Sequence, residues 1–281
     1  MNYFLIFFIF LIGTSIGSFL NVLIDRLPQD KKITGRSICD YCHHKLSWYD
    51  LIPILSFFLL KGRCRYCRKK ISWQYPLIEI LTGSMFVFVF VFLQIKDNQY
   101  QITNLRYWLL VISYWGLISC FMVIFFSDVK YHLISDYILW ALFGFSIMLK
   151  LFIYLENFFI LNLVQNLIGE IPKQVWYDIL SMLIVAFPIW LIYFLSKERA
   201  MGLGDVYLSA ILGFLLGWQK GFLALYLAFI LGGIVGLFLI LFRQKKLKSK
   251  IAFGPFLVIG ALVMLFWGEI ILNWLIKIYR L

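Results

Sequence analysis

Four of the five cysteines in this chain form two pairs with the same internal spacing. The pairs are Cys39 with Cys42 and Cys64 with Cys67, and 21 residues separate them. A C-x2-C pair directs two thiolates at one tetrahedral ion, and two such pairs complete its coordination shell. Because four protein ligands leave no position open for substrate, the pattern predicts a structural zinc site.

Other interpretations of these cysteines stay open at the level of sequence. The four thiols could form two unconnected pairs or a redox pair, and His43 or His44, next to Cys42, could replace one thiolate. The fifth cysteine, Cys120, lies within an apolar run and is predicted to serve only in packing.

Two aspartates beside long apolar runs are the strongest candidates for acid–base chemistry. Asp128 follows the run 107–127, and Asp205 ends the sequence Gly202-Leu203-Gly204-Asp205 directly before the run 206–218. Two carboxylates in one site can share a proton, so that one takes a proton from water while the other protonates the scissile amide. This is aspartic-protease chemistry, which needs no metal and no covalent intermediate. The Gly-x-Gly-Asp motif taken alone favours a helix N-cap role for Asp205 equally.

The composition indicates which elements must position these residues. The 281 residues are 63% hydrophobic, 20% aromatic and 14% charged, with a mean hydropathy of +0.89. A soluble domain has about 25% charged residues, so a soluble globule is excluded, and so is a disordered chain. Five cysteines are too few for a secreted disulfide scaffold of this length. The chain is therefore predicted to be an all-α polytopic membrane protein.

Eight segments have the length and apolar character of transmembrane helices. They are 3–24, 76–95, 107–127, 136–155, 176–195, 205–218, 220–242 and 253–276. The sixth is short for a span and is expected to be tilted, broken or buried among the others. The first runs into polar sequence without a small-residue cleavage site, which predicts a retained helix and not a removed signal peptide.

The net charge of +12 is interpreted as a topology signal, with no nucleic-acid partner expected. Segment 25–75 holds eleven Lys and Arg residues and segment 243–250 holds five. Placing both in the cytoplasm puts both chain termini outside and places Asp128 and Asp205 at the cytoplasmic edge. The predicted organisation is a first transmembrane helix, 1–24, then a cytoplasmic zinc-binding loop with four cysteine ligands, 25–75, and a helical membrane domain, 76–281.

Short motifs along nearly the whole chain carry a family resemblance. They are Gly17-Ser18-Phe19-Leu20-Asn21-Val22 with Arg26-Leu27-Pro28; Ser47-Trp48-Tyr49-Asp50-Leu51-Ile52-Pro53 through Gly62-Arg63-Cys64; Ile71-Ser72-Trp73-Gln74-Tyr75-Pro76-Leu77-Ile78-Glu79; Asp128 with Ile134 and Asp136; Met201-Gly202-Leu203-Gly204-Asp205; and Phe253-Gly254-Pro255-Phe256. In this order and spacing they resemble the bacterial type IV prepilin leader peptidases, membrane aspartic proteases of the Gly-x-Gly-Asp class. The family commonly has proline where this chain has Ser135, and often glycine where it has Arg68.

The resemblance implies a function and assigns the site. It implies that Asp128 and Asp205 are the catalytic pair, and that the enzyme removes the short basic leader of type IV prepilin or pseudopilin precursors after a glycine. The cut would occur at the cytoplasmic face of the bacterial plasma membrane. The resemblance also implies N-methylation of the new N-terminal residue, often phenylalanine, with S-adenosylmethionine as methyl donor. No glycine-rich fingerprint marks a site for that donor, so the methylation rests on the resemblance alone.

Three alternative functions remain at this stage. The chain could be a protease without methyltransferase activity, or a zinc-bearing scaffold whose aspartates are replaceable caps. It could also be an ion or proton transporter, which predicts carboxylates near the bilayer midplane and not at one edge.

Overall fold

The computed structural model describes residues 3–96, 105–160, 170–199, 201–242 and 252–279. Within these ranges the chain is mostly helical and has no β-strand, only two isolated β-bridges in the loop between α1 and α3. The helices are α1 (Tyr3–Arg26), α2 (Leu55–Leu59), α3 (Gln74–Lys96), α4 (Leu105–Tyr131), α5 (Asp136–Ile160), α6 (Glu170–Ser196), α7 (Leu203–Leu216), α8 (Trp218–Leu241) and α9 (Gly254–Tyr279). The predicted all-α class is confirmed.

Seven of the described helices are long and apolar enough to cross a membrane, namely α1, α3, α4, α5, α6, α8 and α9. The chain is therefore a multi-pass membrane protein. The predicted sixth span, 205–218, is displaced by two residues, because the helix begins at Leu203 and ends at Leu216. Gly217, with φ 79°, separates α7 from α8, which begins at Trp218.

Helix α7 is short because it is an interior helix. Its 14 residues are about 21 Å long, against about 30 Å for the hydrocarbon core of a bilayer. Nine of those residues are buried, and α7 contacts α5, α6, α8 and α9. Of the sequence-based alternatives for this segment, burial among the other helices is the one observed.

The chain divides into two compact units, Met1–Val123 and Ile124–Leu281. In the first, α1 packs along α3, and the Asn21 amide donates a hydrogen bond to the Tyr75 carbonyl oxygen at 3.2 Å. This unit also holds the four paired cysteines. The second unit, built around α7, holds both candidate aspartates. The predicted basic segment 243–250 lies outside the described residues.

Candidate active site and candidate metal centre

Asp128 lies in the last turn of α4, with its side chain directed toward the beginning of α9. Only 6% of the residue is exposed. Its Oδ2 accepts a hydrogen bond from the backbone N–H of Gly254, the first residue of α9, at 2.9 Å. The first N–H groups of a helix have no partner within the helix and carry partial positive charge, so this end suits a carboxylate.

The hydrogen bond between Gly254 and Asp128 leaves no space for a side chain at position 254. A Cβ added there would lie 2.7 Å from Asp128 Oδ2 and 3.3 Å from the Ile134 side chain. The Phe253-Gly254-Pro255-Phe256 motif was part of the family resemblance, but sequence reasoning gave it no role in the site. The structure brings its glycine into contact with Asp128.

Asp205 is the third residue of α7 and is 9% exposed. Its Oδ2 accepts a hydrogen bond at 3.3 Å from the backbone N–H of Gly202, the residue in the N-cap position. Asp205 therefore does not occupy the N-cap position that was the sequence-based alternative, although its side chain binds the backbone of the residue that does. The aspartate lies in the first turn of the helix, and its side chain reaches back to Gly202, directly before α7.

The beginnings of α9 and α7, which bind the two carboxylates, share one neighbouring side chain. Ile134 packs against both glycine segments of the site: a Cβ on Gly204 would lie 3.0 Å from its Cβ, and a Cβ on Gly254 would lie 3.3 Å from its Cδ1. This side chain therefore lies next to the beginning of α7 and the beginning of α9. The sequence analysis named Ile134 only as part of a motif and gave it no role in the site.

The turn after Asp128 is fixed by its own hydrogen bonds. The Ser127 hydroxyl donates to the Leu133 carbonyl oxygen at 2.7 Å, and the carbonyl of Ser135, which stands at the family's usual proline, accepts from Ile138 at 3.1 Å to begin α5. Asp136, the first residue of α5, is exposed. The Ser135 replacement therefore leaves the Asp128 region ordered.

Each catalytic candidate has an oxygen available for a further ligand. Among contacts within the described ranges, Asp128 and Asp205 each use Oδ2 for the hydrogen bond to backbone, and Oδ1 accepts none. Both residues lie at helix ends, in the last turn of α4 and the first turn of α7. The transporter alternative predicted carboxylates near the middle of spans, which is not the position of this pair.

The four paired cysteines, Cys39, Cys42, Cys64 and Cys67, come together in the first unit, with all ligand atoms within 4.8 Å of one another. The Cys39 and Cys67 sulfurs lie 3.8 Å apart. Bonds of about 2.3 Å to a tetrahedral ion give sulfur–sulfur edges of about 3.8 Å, whereas a disulfide is about 2.05 Å long. The cluster can therefore hold a metal ion.

The two halves of this cluster have the same backbone structure. In the first, the Cys39 N–H donates to His44 and the His43 N–H donates to Cys39; in the second, Cys64 donates to Lys69 and Arg68 donates to Cys64. The residue after the second cysteine of each pair has a left-handed backbone, with φ 55° at His43 and 61° at Arg68. The residue type that resists this conformation least is glycine, which explains the family's glycine at the position of Arg68.

Local electrostatics favour a ligating thiolate at one member of the cluster. Burial alone raises the pKa of the Cys39 thiol, but hydrogen bonds from the backbone of Cys42 and Tyr41 and from neighbouring thiols lower it to about 7. Hydrogen bonds with the same thiols raise the pKa of Cys67 to about 11, and because a metal ligand must be deprotonated, metal binding to the cluster would release protons.

A salt bridge joins the second cysteine pair to the segment between the pairs. The Arg65 Nε donates to Asp50 Oδ1 at 2.7 Å, while Asp50 Oδ2 accepts from the Ser47 N–H at 3.2 Å. The motif beginning at Ser47 is therefore tied directly to the cysteine cluster.

Comparisons with known proteins identify the family. Residues 11–93 match the bacterial peptidase A24 N-terminal domain, and residues 115–237 match the type IV leader peptidase family. Relatives named prepilin leader peptidase/N-methyltransferase include those of Aeromonas salmonicida, with 29% identity over 95% of this chain and 92% of the relative, and of Legionella pneumophila, with 27% identity over the same shares. That of Myxococcus xanthus is 32% identical over 83% of this chain and 63% of its own length.

No solved structure matches the chain significantly. The two matched regions together cover most of the chain, and their boundary falls near that between the two compact units. The seven apolar helices and these relatives indicate a multi-pass protein of the inner membrane. The resemblance stated from the motifs is confirmed: the chain belongs to the bacterial type IV leader peptidase family.

Proposed function

We propose that this chain is a membrane aspartic endopeptidase that removes the leader of type IV prepilin-like precursors and then N-methylates the new N-terminus. The observation that carries the proposal is the placement of Asp128 and Asp205, which come from separate helices, are both buried, and bind the beginnings of α9 and α7 next to the same side chain, Ile134. Two carboxylates in this arrangement favour a state in which they hold one proton between them.

The reaction follows from that shared proton. A water held between the free Oδ1 atoms would lose a proton to the ionised carboxylate and attack the scissile carbonyl carbon. The protonated carboxylate would donate its proton as the carbon–nitrogen bond breaks, so the pair returns to one proton after each turnover. The backbone N–H groups of Gly254 and Gly202 hold the two carboxylates in place by their Oδ2 atoms.

The proposed site faces the cytoplasm. The distribution of Lys and Arg supports this orientation, because a basic segment such as 25–75 is retained in the cytoplasm. Counting the spans from that segment puts the end of α4 and the beginning of α7 on the same side of the membrane. The precursor would place its apolar stem in the membrane and extend its basic leader at the surface, where it leaves helical form to be cut.

The cysteine cluster is proposed to hold a structural zinc ion. Segment 25–75 is too small to bury a sizeable core, and a four-thiolate ion would close it without offering a position to substrate. Zinc should be lost in a Cys39→Ser/Cys42→Ser variant and retained in Cys120→Ser, whose thiol is buried away from the cluster. Metal analysis of the purified chains measures this, and equal zinc in both variants would contradict the assignment.

Methyl transfer is proposed from the names of the relatives, with S-adenosylmethionine as methyl donor. We assign no residue to the donor site. Labelled methyl transfer to a cleaved substrate N-terminus tests this activity separately from proteolysis.

The experiment for the whole proposal is the intact mass of a prepilin incubated with the chain in proteoliposomes. The mass reports the cut position and the added methyl group together. Asp128→Asn and Asp205→Asn should each slow leader removal by about 10³-fold, while Asp136→Asn, an exposed aspartate nearby, should retain it. Normal processing by either of the first two variants would contradict the catalytic assignment.

A further inference from the structure

Helix α2 exposes a continuous apolar surface although it belongs to a strongly basic segment. Leu55, Phe58 and Leu59 are 61%, 55% and 80% exposed, and we call these three side chains the α2 face. The neighbouring Phe57 is directed the other way and is 7% exposed. Large apolar side chains clustered on a short helix indicate a covered or lipid-contacting surface.

One hydrogen bond holds the beginning of α2 beside a membrane-spanning helix, α3. The Ile54 N–H, directly before α2, donates to Glu79 Oε2 at 2.7 Å. Glu79 is 7% exposed and is five residues past Gln74, where α3 begins, which is about 7.5 Å along the helix. The beginning of α2 therefore lies beside the second turn of α3 and not above the end of the helix.

Aromatic contacts hold the rest of α2 at the same height. The Phe57 ring packs on Trp73, directly before α3, with centroids 4.7 Å apart, and Phe58 lies 6.3 Å from the same indole. Trp73 itself is 67% exposed. Tryptophan is enriched where a transmembrane helix enters the headgroup region, so this contact places α2 in that layer.

The charges that follow α2 suit an anionic lipid surface. Lys61 and Arg63 come directly after it, and segment 25–75 has eleven Lys and Arg residues in all. Both ends of the segment are joined to membrane spans, α1 and α3. We propose that α2 inserts into the anionic leaflet in which α1 ends and α3 begins, with the α2 face at the acyl boundary and Lys61 and Arg63 among the headgroups, held there by Glu79.

Insertion would also fix the height of the cysteine cluster. The Gly62 N–H donates to the Phe57 carbonyl oxygen at 2.9 Å, and Ile71 donates to the Gly62 carbonyl oxygen at 2.8 Å. Cys64 follows two residues after Gly62. The second cysteine pair is thus attached to α2 by a short hydrogen-bonded turn, and the cluster would be held directly at the membrane surface.

The test is a spin-label accessibility measurement on the full chain in vesicles of phosphatidylethanolamine and phosphatidylglycerol. A nitroxide on a genetically encoded keto amino acid at Leu59 leaves the native cysteines unmodified. Power saturation compares its collisions with oxygen, which concentrates in lipid, and with a water-soluble nickel chelate. The same label at Phe8, exposed on α1, is the lipid control, and at Lys31, exposed in the basic segment, the water control.

We expect the label at Leu59 to behave as at Phe8, with loss of nickel access. Nickel access equal to that at Lys31 would overturn the proposal. So would nickel access in vesicles alone that disappears only when an uncleaved prepilin is added, because that result makes the α2 face a substrate surface.

A pair of variants tests the anchor. Glu79→Leu removes the acceptor for the Ile54 N–H and should restore nickel access at Leu59, whereas Glu79→Gln keeps an oxygen acceptor and should remain protected. Unchanged protection in Glu79→Leu would overturn the anchoring role of Glu79.

Discussion

The backbone N–H of Gly254 and Oδ2 of Asp128 form a 2.9 Å hydrogen bond between residues 126 positions apart in the chain. This bond fixes a proposed catalytic carboxylate against the first residue of another helix. The site therefore depends on how α4, α7 and α9 pack, and its geometry can be tested by substitutions that leave the aspartates unchanged.

Gly254→Ala should displace the Asp128 carboxylate. The new Cβ would lie 2.7 Å from Oδ2, so the carboxylate must move, and misplacement of this size lowers kcat by about 100-fold. The measurement is the rate of leader cleavage in proteoliposomes. Gly144→Ala is the matched control, because a Cβ there meets nothing within 4 Å. Equal rates in the two variants would contradict the positioning role of Gly254.

Gly204→Ala should have a smaller effect of the same kind. Its Cβ would lie 3.0 Å from the Ile134 Cβ, and a side chain can yield by a few tenths of an ångström, so kcat should fall by about tenfold or less. Ile134→Ala removes the spacer between Gly204 and Gly254 and should also lower kcat. Cleavage rates of both variants at saturating substrate measure this, and a wild-type rate in Ile134→Ala would show that it sets no distance in the site.

Arg68→Gly should stabilise the cysteine cluster. Arg68 has φ 61°, and a left-handed backbone costs a non-glycine residue about 1 kcal/mol, equivalent to about fivefold in metal affinity. Competition with a chromogenic chelator measures that affinity. Lys69→Gly, at a neighbouring position without positive φ, should weaken metal binding because it only adds freedom to the unfolded chain. Tighter binding in Lys69→Gly than in Arg68→Gly would contradict the backbone explanation.

The ion pair between α5 and α6 should matter for stability. Lys150 Nζ lies 2.9 Å from Asp178 Oδ1, Tyr154 donates to the other oxygen, and the Asp178 side chain is 1% exposed. Lys150→Met leaves that carboxylate buried without its cation and should lower the free energy of unfolding by about 3 kcal/mol. Lys150→Met/Asp178→Leu should recover most of this loss. Thermal unfolding in detergent measures both, and additive losses would contradict the coupling.

Much of this molecule could be predicted from local sequence. Apolar runs of about 20 residues predicted the seven long spans, because a helix that crosses a bilayer must be apolar along its length. The spacing of Cys39, Cys42, Cys64 and Cys67 predicted the thiol cluster. The Gly-x-Gly-Asp motif and the position of Asp128 after an apolar run indicated Asp205 and Asp128 as the two candidate catalytic acids.

What could not be predicted depends on long-range packing. Two contacts join segments that are far apart in the sequence, and no local pattern indicates that these segments meet. They are the hydrogen bond between Gly254 and Asp128 and the one between Ile54 and Glu79. The left-handed backbone of Arg68 was also hidden, since an arginine in the sequence does not indicate positive φ. The end of α7 was misplaced by two residues because the apolar run continues past Gly217, where the backbone turns.

The most direct test of the paired aspartates is a double-mutant comparison of cleavage rates. When two residues act as one catalytic unit, removing either one removes the function of both. Asp128→Asn and Asp205→Asn should therefore each lower kcat by about 10³-fold, and the double variant should be no slower than either single variant. Asp136→Asn gives the background for an exposed aspartate. Losses that multiply in the double variant, or a near wild-type rate in either single variant, would contradict the account of one shared water between two carboxylates.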